Sequence, residues 1–159
     1  MYGGLANSLQ TNTIGQPWHQ RPKAQGFALQ TRWLWLQKTD QDRAWSELPI
    51  KTAPEVQAFF RASTYTAVGD GRLALFWEDR WVHGNCISDL APCLYQLVPS
   101  HTRQQQSVQE ALTNRQWVHA IAGGLSQTAI EEYLELWTIL EQINLIDQPD
   151  RLDRMALVT

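Results

Sequence analysis

The chain has 159 residues, enough for one domain, with 13 Lys/Arg against 16 Asp/Glu and a formal net charge of −3. That balance excludes a general electrostatic pull toward nucleic acid. No apolar run is long enough to span a bilayer, the N-terminus lacks a basic region followed by an apolar stretch, and the two cysteines have no secretory context. The expectation is an intracellular protein of the cytoplasm or nucleus, not secreted and without a membrane partner. Eight tryptophans, each able to bury roughly 150–250 Å², supply enough apolar surface for a core.

In chain order, residues 1–23 are rich in Gly, Asn, Gln, Thr and Pro and read as a disordered leader. Residues 24–37 carry Phe27, Leu29, Trp33, Leu34 and Leu36, a pattern compatible with a helix in which Trp33 shares a face with Leu29 and Leu36. The local run Arg32-Trp33-Leu34-Trp35-Leu36 also suits a strand. Residues 39–49 form a loop. Thr52 and Glu55 have capping-box spacing and Pro54 suits a first helical turn, so a helix opens there with Val56, Phe59 and Phe60 on its apolar side.

Gly69-Asp70-Gly71 is a tight-turn signal. Beyond it Leu73, Leu75, Trp77, Asp79 and Trp81 alternate with Arg72, Ala74, Phe76, Glu78 and Arg80. The expectation is a β-hairpin, Thr64–Val68 paired with Leu73–Val82, anchored by Trp77 and Trp81 with Asp79 accepting a hydrogen bond between them. Ile87–Leu97 reads as a short helical stretch and 100–106 as a polar linker. Ser107 and Glu110 form a second capping box, and a turn with Trp117, Val118 and Ile121 stops at Gly123-Gly124. Ser126 caps a last helix whose stripe is Ile130, Tyr133, Leu134, Trp137 and Leu140, with Glu131, Glu132, Glu135 and Glu141 mostly off it. Residues 151–159 read as a tail. The fold class is therefore α+β, mostly helical with one β-hairpin around residues 64–82, in a Trp-rich region spanning 24–150.

His83, Cys86, Cys93 and His101 follow the spacing H-x2-C-x6-C-x7-H, which does not match the paired ligands of finger modules. Cys93 lies in an apolar run, where a free thiol behaves as a small hydrophobe. No metal site and no cofactor are expected. Asp70, Glu78, Asp79 and His83 crowd the turn region. Adjacent strand residues point to opposite faces, so Glu78 and Asp79 cannot both serve one site unless the strand bends. No nucleophile, base and orienting group assemble into a catalytic set. No Walker-type loop occurs and no Tyr-x-Asp-Asp turn is present, so an enzyme is not expected.

The remaining chemistry is contact with nucleic acid. Residues 1–61 hold seven Lys/Arg against four acids, whereas 120–150 hold six acids and no Lys/Arg. Arg32, Lys38, Arg43, Lys51 and Arg61, interleaved with Trp35, are candidate phosphate contacts and a stacking platform. The acids at the other end read as a solvated helix face.

The pattern G-D-G-x4-F-W-x-D-x-W at 69–81 resembles a segment of plant non-LTR (LINE-type) retrotransposon reverse transcriptases, between the polymerase region and the C-terminal zinc-binding region. Residues 27–36, Trp45, Leu48-Pro49-Ile50, Leu90-Ala91-Pro92-Cys93-Leu94, Val108–Leu112, Trp117 and the Trp137 helix follow in the matching order. Gly69, Asp70, Gly71, Phe76, Trp77, Asp79 and Trp81 carry the motif. The resemblance implies a non-catalytic remnant of that polyprotein, at most an auxiliary RNA- or DNA-contacting segment. The implied partners are RNA, DNA or the flanking regions of the polyprotein. The family's zinc-binding cysteines belong downstream of the matched region, so Cys86 and Cys93 inherit no role. The alternatives are an independent α+β protein-interaction module whose acidic final helix docks a partner, and a small metal-dependent hydrolase.

Overall fold

The computed structural model describes residues 23–40, 42 and 51–155. Helix α1 spans Lys23–Thr39 and α2 spans Pro54–Ser63, followed directly by strand β1 at Thr64–Ala67. Five short helices come next: α3 Ile87–Leu90, α4 Pro92–Gln96, α5 Ser100–Gln105, α6 Val108–Leu112 and α7 Gln116–His119. A single 3₁₀ turn at Thr113–Arg115 joins the last two. The long helix α8 covers Gln127–Leu140, and strand β2 covers Arg151–Arg154. The class is α+β and mostly helical. Among the described residues no helix is long and apolar enough to cross a membrane.

The expected hairpin is not formed. β1 pairs antiparallel with β2, Thr64 opposite Arg154 and Ala67 opposite Arg151, so part of the expected tail is a strand. Residues 71–81 run through successive bends and turns. The Thr66 amide donates to the Arg80 carbonyl at 2.7 Å, so the two arms meet without forming a ladder. The reason lies in adjacent aromatics. A strand would send Phe76 and Trp77 to opposite faces. Instead the Asp79 amide donates back to the Leu75 carbonyl at 3.1 Å, closing a turn that carries both rings inward. Both are fully buried.

Those rings begin a continuous aromatic chain. Phe76 meets Trp77 edge-on at 4.8 Å, lies 5.5 Å from Trp81 and stacks on Trp117 at 6.3 Å between ring centroids. Trp117 continues the chain to Tyr133 at 5.4 Å and to Trp137 at 6.1 Å. Such pairs prefer offset or edge-on geometry, because the ring faces are negative and the edges positive. Ile87, Leu94, Val98, Val108 and Leu136 fill the space around them.

Several local expectations hold and several shift. The Ser107 hydroxyl accepts from the Glu110 amide, and the Glu110 carboxylate accepts from the Ser107 amide, forming the capping box. The Ser126 hydroxyl caps α8 by accepting from Ala129. Thr52 is not a cap. Ala53 holds the N-cap position ahead of Pro54, and the Ala53 amide donates to the Gln30 side chain of α1 at 3.1 Å. The expected helix at 87–97 is broken at Ala91, where the following proline disfavours helical backbone. The expected linker at 100–106 is mostly helix α5. Trp33 is only half-buried and Leu29 is 63% exposed, so the face they share is not a core face. The expected leader, apart from Lys23 at its end, and Arg43, Trp45 and Leu48-Pro49-Ile50 lie outside the described residues.

On α8 the buried face is set by Ala129, Leu136 and Leu140, spaced i, i+7, i+11. At ~100° per residue, that face is turned well away from the expected stripe. Tyr133 and Trp137 fall at its margin, while Ile130 and Leu134 face out at 42% and 58% exposure. Glu132 falls on the inner side. Its carboxylate accepts the Leu94 amide at 3.0 Å, capping the start of α4 from a neighbouring helix. The acids therefore do not form one solvated face.

Candidate nucleic-acid interface

The G-D-G loop is held by a residue the sequence reading did not single out. Asp150 follows Pro149 after α8 and is buried at 9% exposure. Its Oδ1 accepts the amides of Gly69 and Gly71 at 2.7 and 2.8 Å. Its Oδ2 accepts those of Leu73 and Ala74, both at 3.0 Å. One carboxylate thus satisfies four main-chain donors of an irregular segment, donors that would be costly to bury unpaired. The glycines are what permit this wrap. A Cβ on Gly69 would collide with the Gln148 carbonyl oxygen, and Gly71 sits at φ +74° with space for a Cβ closed by the Gln109 amide nitrogen at 2.8 Å. Asp70 itself accepts from the Arg72 amide at 3.1 Å, an Asx turn that closes the loop.

Asp79 performs a parallel task farther along the segment. Its Oδ2 accepts the Leu75 amide at 2.9 Å, and both of its oxygens take the Lys38 ammonium at 2.7 Å. The expectation that Asp79 bonds between the two indoles is corrected. The Trp77 indole N–H donates to the Gln106 side chain at 2.8 Å, and that of Trp81 to the Phe76 carbonyl at 2.9 Å. The buried indoles reach acceptors elsewhere, which leaves the carboxylate to the amide and the lysine.

The basic candidates divide in two. Lys38 is engaged by Asp79 and ties α1 to the aromatic segment. Arg61 is engaged by Glu78, Nη1 to Oε2 at 3.0 Å. The other Glu78 oxygen accepts the Tyr95 hydroxyl at 2.7 Å. Burial, followed by this bond to Glu78, holds the Tyr95 phenol above its ordinary pKa. Lys38 and Arg61 are therefore structural cations, not free phosphate contacts. Arg32 and Lys51 are exposed. Trp35 is half-buried, and the Arg154 guanidinium of β2 lies over its ring at 5.2 Å. Arg32 is one helical turn from Trp35 and shares its side of α1. The structure thus gathers Arg32, Trp35 and Arg154 and takes Lys38 and Arg61 away. Arg154 had no signal in the sequence, because its place depends on the β1–β2 pairing.

The metal candidates do not converge: among the described residues no three His, Cys, Asp or Glu side chains form a group that could hold an ion. His83 and Gly84 both have positive φ, between Val82 and Asn85, which bond to each other across the turn. Cys86 is buried with its sulfur 3.1 Å from the Ser88 hydroxyl. Cys93 faces Glu132, and the bond to that carboxylate, with burial, raises its thiol pKa. Asp70, Glu78 and Asp79, weighed as a hydrolytic cluster, pair with Arg72 at 3.6 Å, Arg61 at 3.0 Å and Lys38 at 2.7 Å respectively. Each is held by a cation of the chain itself.

Comparison with protein-family models, with curated proteins and with solved structures finds no match.

Proposed function

We propose that this chain is a non-catalytic connector derived from a LINE-type reverse transcriptase polyprotein, and that it contacts single-stranded nucleic acid through the face built by α1 and β2. The observation that carries the contact is the Arg154 guanidinium above the Trp35 ring, with exposed Arg32 one helical turn away. A guanidinium on an indole face is a preformed donor fork beside a stacking surface. Arg32 supplies a second positive site for the backbone. The origin rests on the order and spacing of the residues that resemble the family. The carboxylates of the central segment support a passive role, since they are engaged in holding amides and cations of the chain.

The test is RNA affinity across a salt series. The wild-type chain is expected to bind a single-stranded RNA with log affinity falling linearly against log salt. The double variant Arg32→Gln, Arg154→Gln should lower the slope by about 1.4, since each single-strand phosphate contact contributes about 0.7. Arg61→Gln serves as the internal control and should leave the slope unchanged, because Arg61 is committed to Glu78. Salt-independent binding, or an equal slope in the double variant, would overturn the reading.

A further inference from the structure

The outer face of α8 carries apolar side chains that the described residues leave largely exposed. Ile130 and Leu134 are 42% and 58% exposed, and Leu125 just ahead of the helix is 38% exposed. Ile130, Leu134 and Trp137 step by four and three residues, the spacing of a helix-pairing seam, and Glu141, one turn on, accepts the Trp137 indole N–H at 2.8 Å and pairs with Arg115 at 3.9 Å. Beside Trp137 lies a depression of about 450 Å³ lined by Leu112, Arg115, Trp117, Leu140, Glu141 and Ile143. Arg115 lies over the Trp137 ring at 4.2 Å. Asn114 and Arg115 both adopt positive φ there, a conformation that non-glycine residues seldom take, so the arginine is placed by a strained turn.

Charge identifies what would lie along this seam. Glu131 and Glu135 are exposed beside Leu134. Among the described residues Glu131 pairs with the neutral Gln127 amide at 3.1 Å, and residues 120–150 contain no Lys or Arg. We infer that the outer face of α8 docks a basic amphipathic helix of a partner protein. Apolar side chains of the partner would meet Ile130 and Leu134, a large one would enter the depression beside Trp137, and its Lys or Arg residues would flank Glu131 and Glu135. This surface is separate in sequence from the Arg32, Trp35 and Arg154 face and stands without the nucleic-acid reading.

The probe is a synthetic amphipathic helix of about three heptads with Leu on one face and Lys on the other, titrated into the full chain by fluorescence anisotropy. Saturable one-to-one binding is expected. The variant Ile130→Ala, Leu134→Ala should weaken it by about tenfold or more, since two buried apolar contacts are lost. Both residues are exposed, so helicity by circular dichroism should stay at the wild-type value. Glu131→Gln with Glu135→Gln should weaken binding at low salt. The same charge change at exposed Glu55 and Asp89 should not. Equal binding of a Leu/Glu peptide, or unchanged affinity in the Ile130/Leu134 variant, would overturn the inference. So would a concentration-dependent dimer of the chain alone that Leu134→Ala dissociates, because the seam would then be filled by a second copy.

Discussion

The segment 69–81 and helix α8 are both rich in aromatic and apolar residues, yet they bury them in opposite ways. The segment has almost no regular hydrogen bonding of its own and depends on two carboxylates, one of them from outside it. Asp150 takes four of its amides, and Asp79 takes a fifth. In exchange, neighbours in sequence such as Phe76 and Trp77 are buried together. α8 satisfies its own backbone and needs only the Ser126 cap at its start. It must then present one side to the core and another outward, so Leu136 is buried while Leu134 is not. Regular structure frees a segment from outside help but halves what it can bury. Irregular structure reverses both.

The largest effect should come from removing the outside help. Asp150→Ala leaves four amides beside an emptied site, each normally worth about 1–3 kcal/mol when buried without a partner. Water entering the vacated volume would recover part of that, so the expected loss is about 3–5 kcal/mol. Asp150→Asn should be nearly as harmful, because its amide group would turn two donors toward amides that also donate. Chemical denaturation measures both. If Asp150→Asn unfolds at the wild-type denaturant midpoint, the loop is held by its glycines and its packing, not by the carboxylate.

Side-chain truncation sharpens the same contrast. Trp77→Ala should cost roughly 3–5 kcal/mol, the usual range for a large aromatic removed from a close-packed core. The variant also strands the Gln106 side chain that accepts the indole N–H. Leu134→Ala on α8 should fall within about 0.5 kcal/mol of wild type, as an exposed position does. The two midpoints, measured side by side, check whether burial rather than residue type sets the cost. A loss at Leu134 as large as that at Trp77 would place α8's outer face in a contact of the folded chain.

What the sequence made legible follows from the same distinction. Signals that act within a few residues were readable: the Ser107–Glu110 box, the Ser126 cap, the turn at Gly69–Gly71 and the mostly helical α+β class. Features that depend on residues far apart were not. The partner of β1 is β2, more than eighty positions away, and alternation in 72–81 pointed to the nearer segment. Asp150 has no neighbour pattern, because its role is defined by amides about eighty residues earlier. Lys38 and Arg61 looked available for phosphate because their acids, Asp79 and Glu78, lie on other elements. The α8 stripe was misjudged by rotation: apolar spacing shows that a helix has a face, and packing against α4 through Glu132 decides which way it turns.

A last effect, read through pH, lies where the two regions' surroundings meet, at Tyr95 on α4. Its hydroxyl donates to Glu78, next to Trp77, and burial with that bond raises its pKa in the folded protein. The sign follows from proton binding. A phenol whose folded pKa exceeds its unfolded value binds its proton more tightly in the native state. Its contribution to stability is therefore complete below the ordinary phenol pKa of about 10. It declines as pH rises from there through the folded pKa. Tyr95→Phe removes the titrating group while keeping the ring, so the variant should lose the Tyr95 share of the alkaline decline while costing about 1 kcal/mol at neutral pH. Denaturation midpoints at several pH values between about 8 and 11 would resolve that share. Were the alkaline slope the same in both proteins, the hydroxyl would have no preferential hold on its proton in the native state. The Glu78 carboxylate would then be held by Arg61 alone.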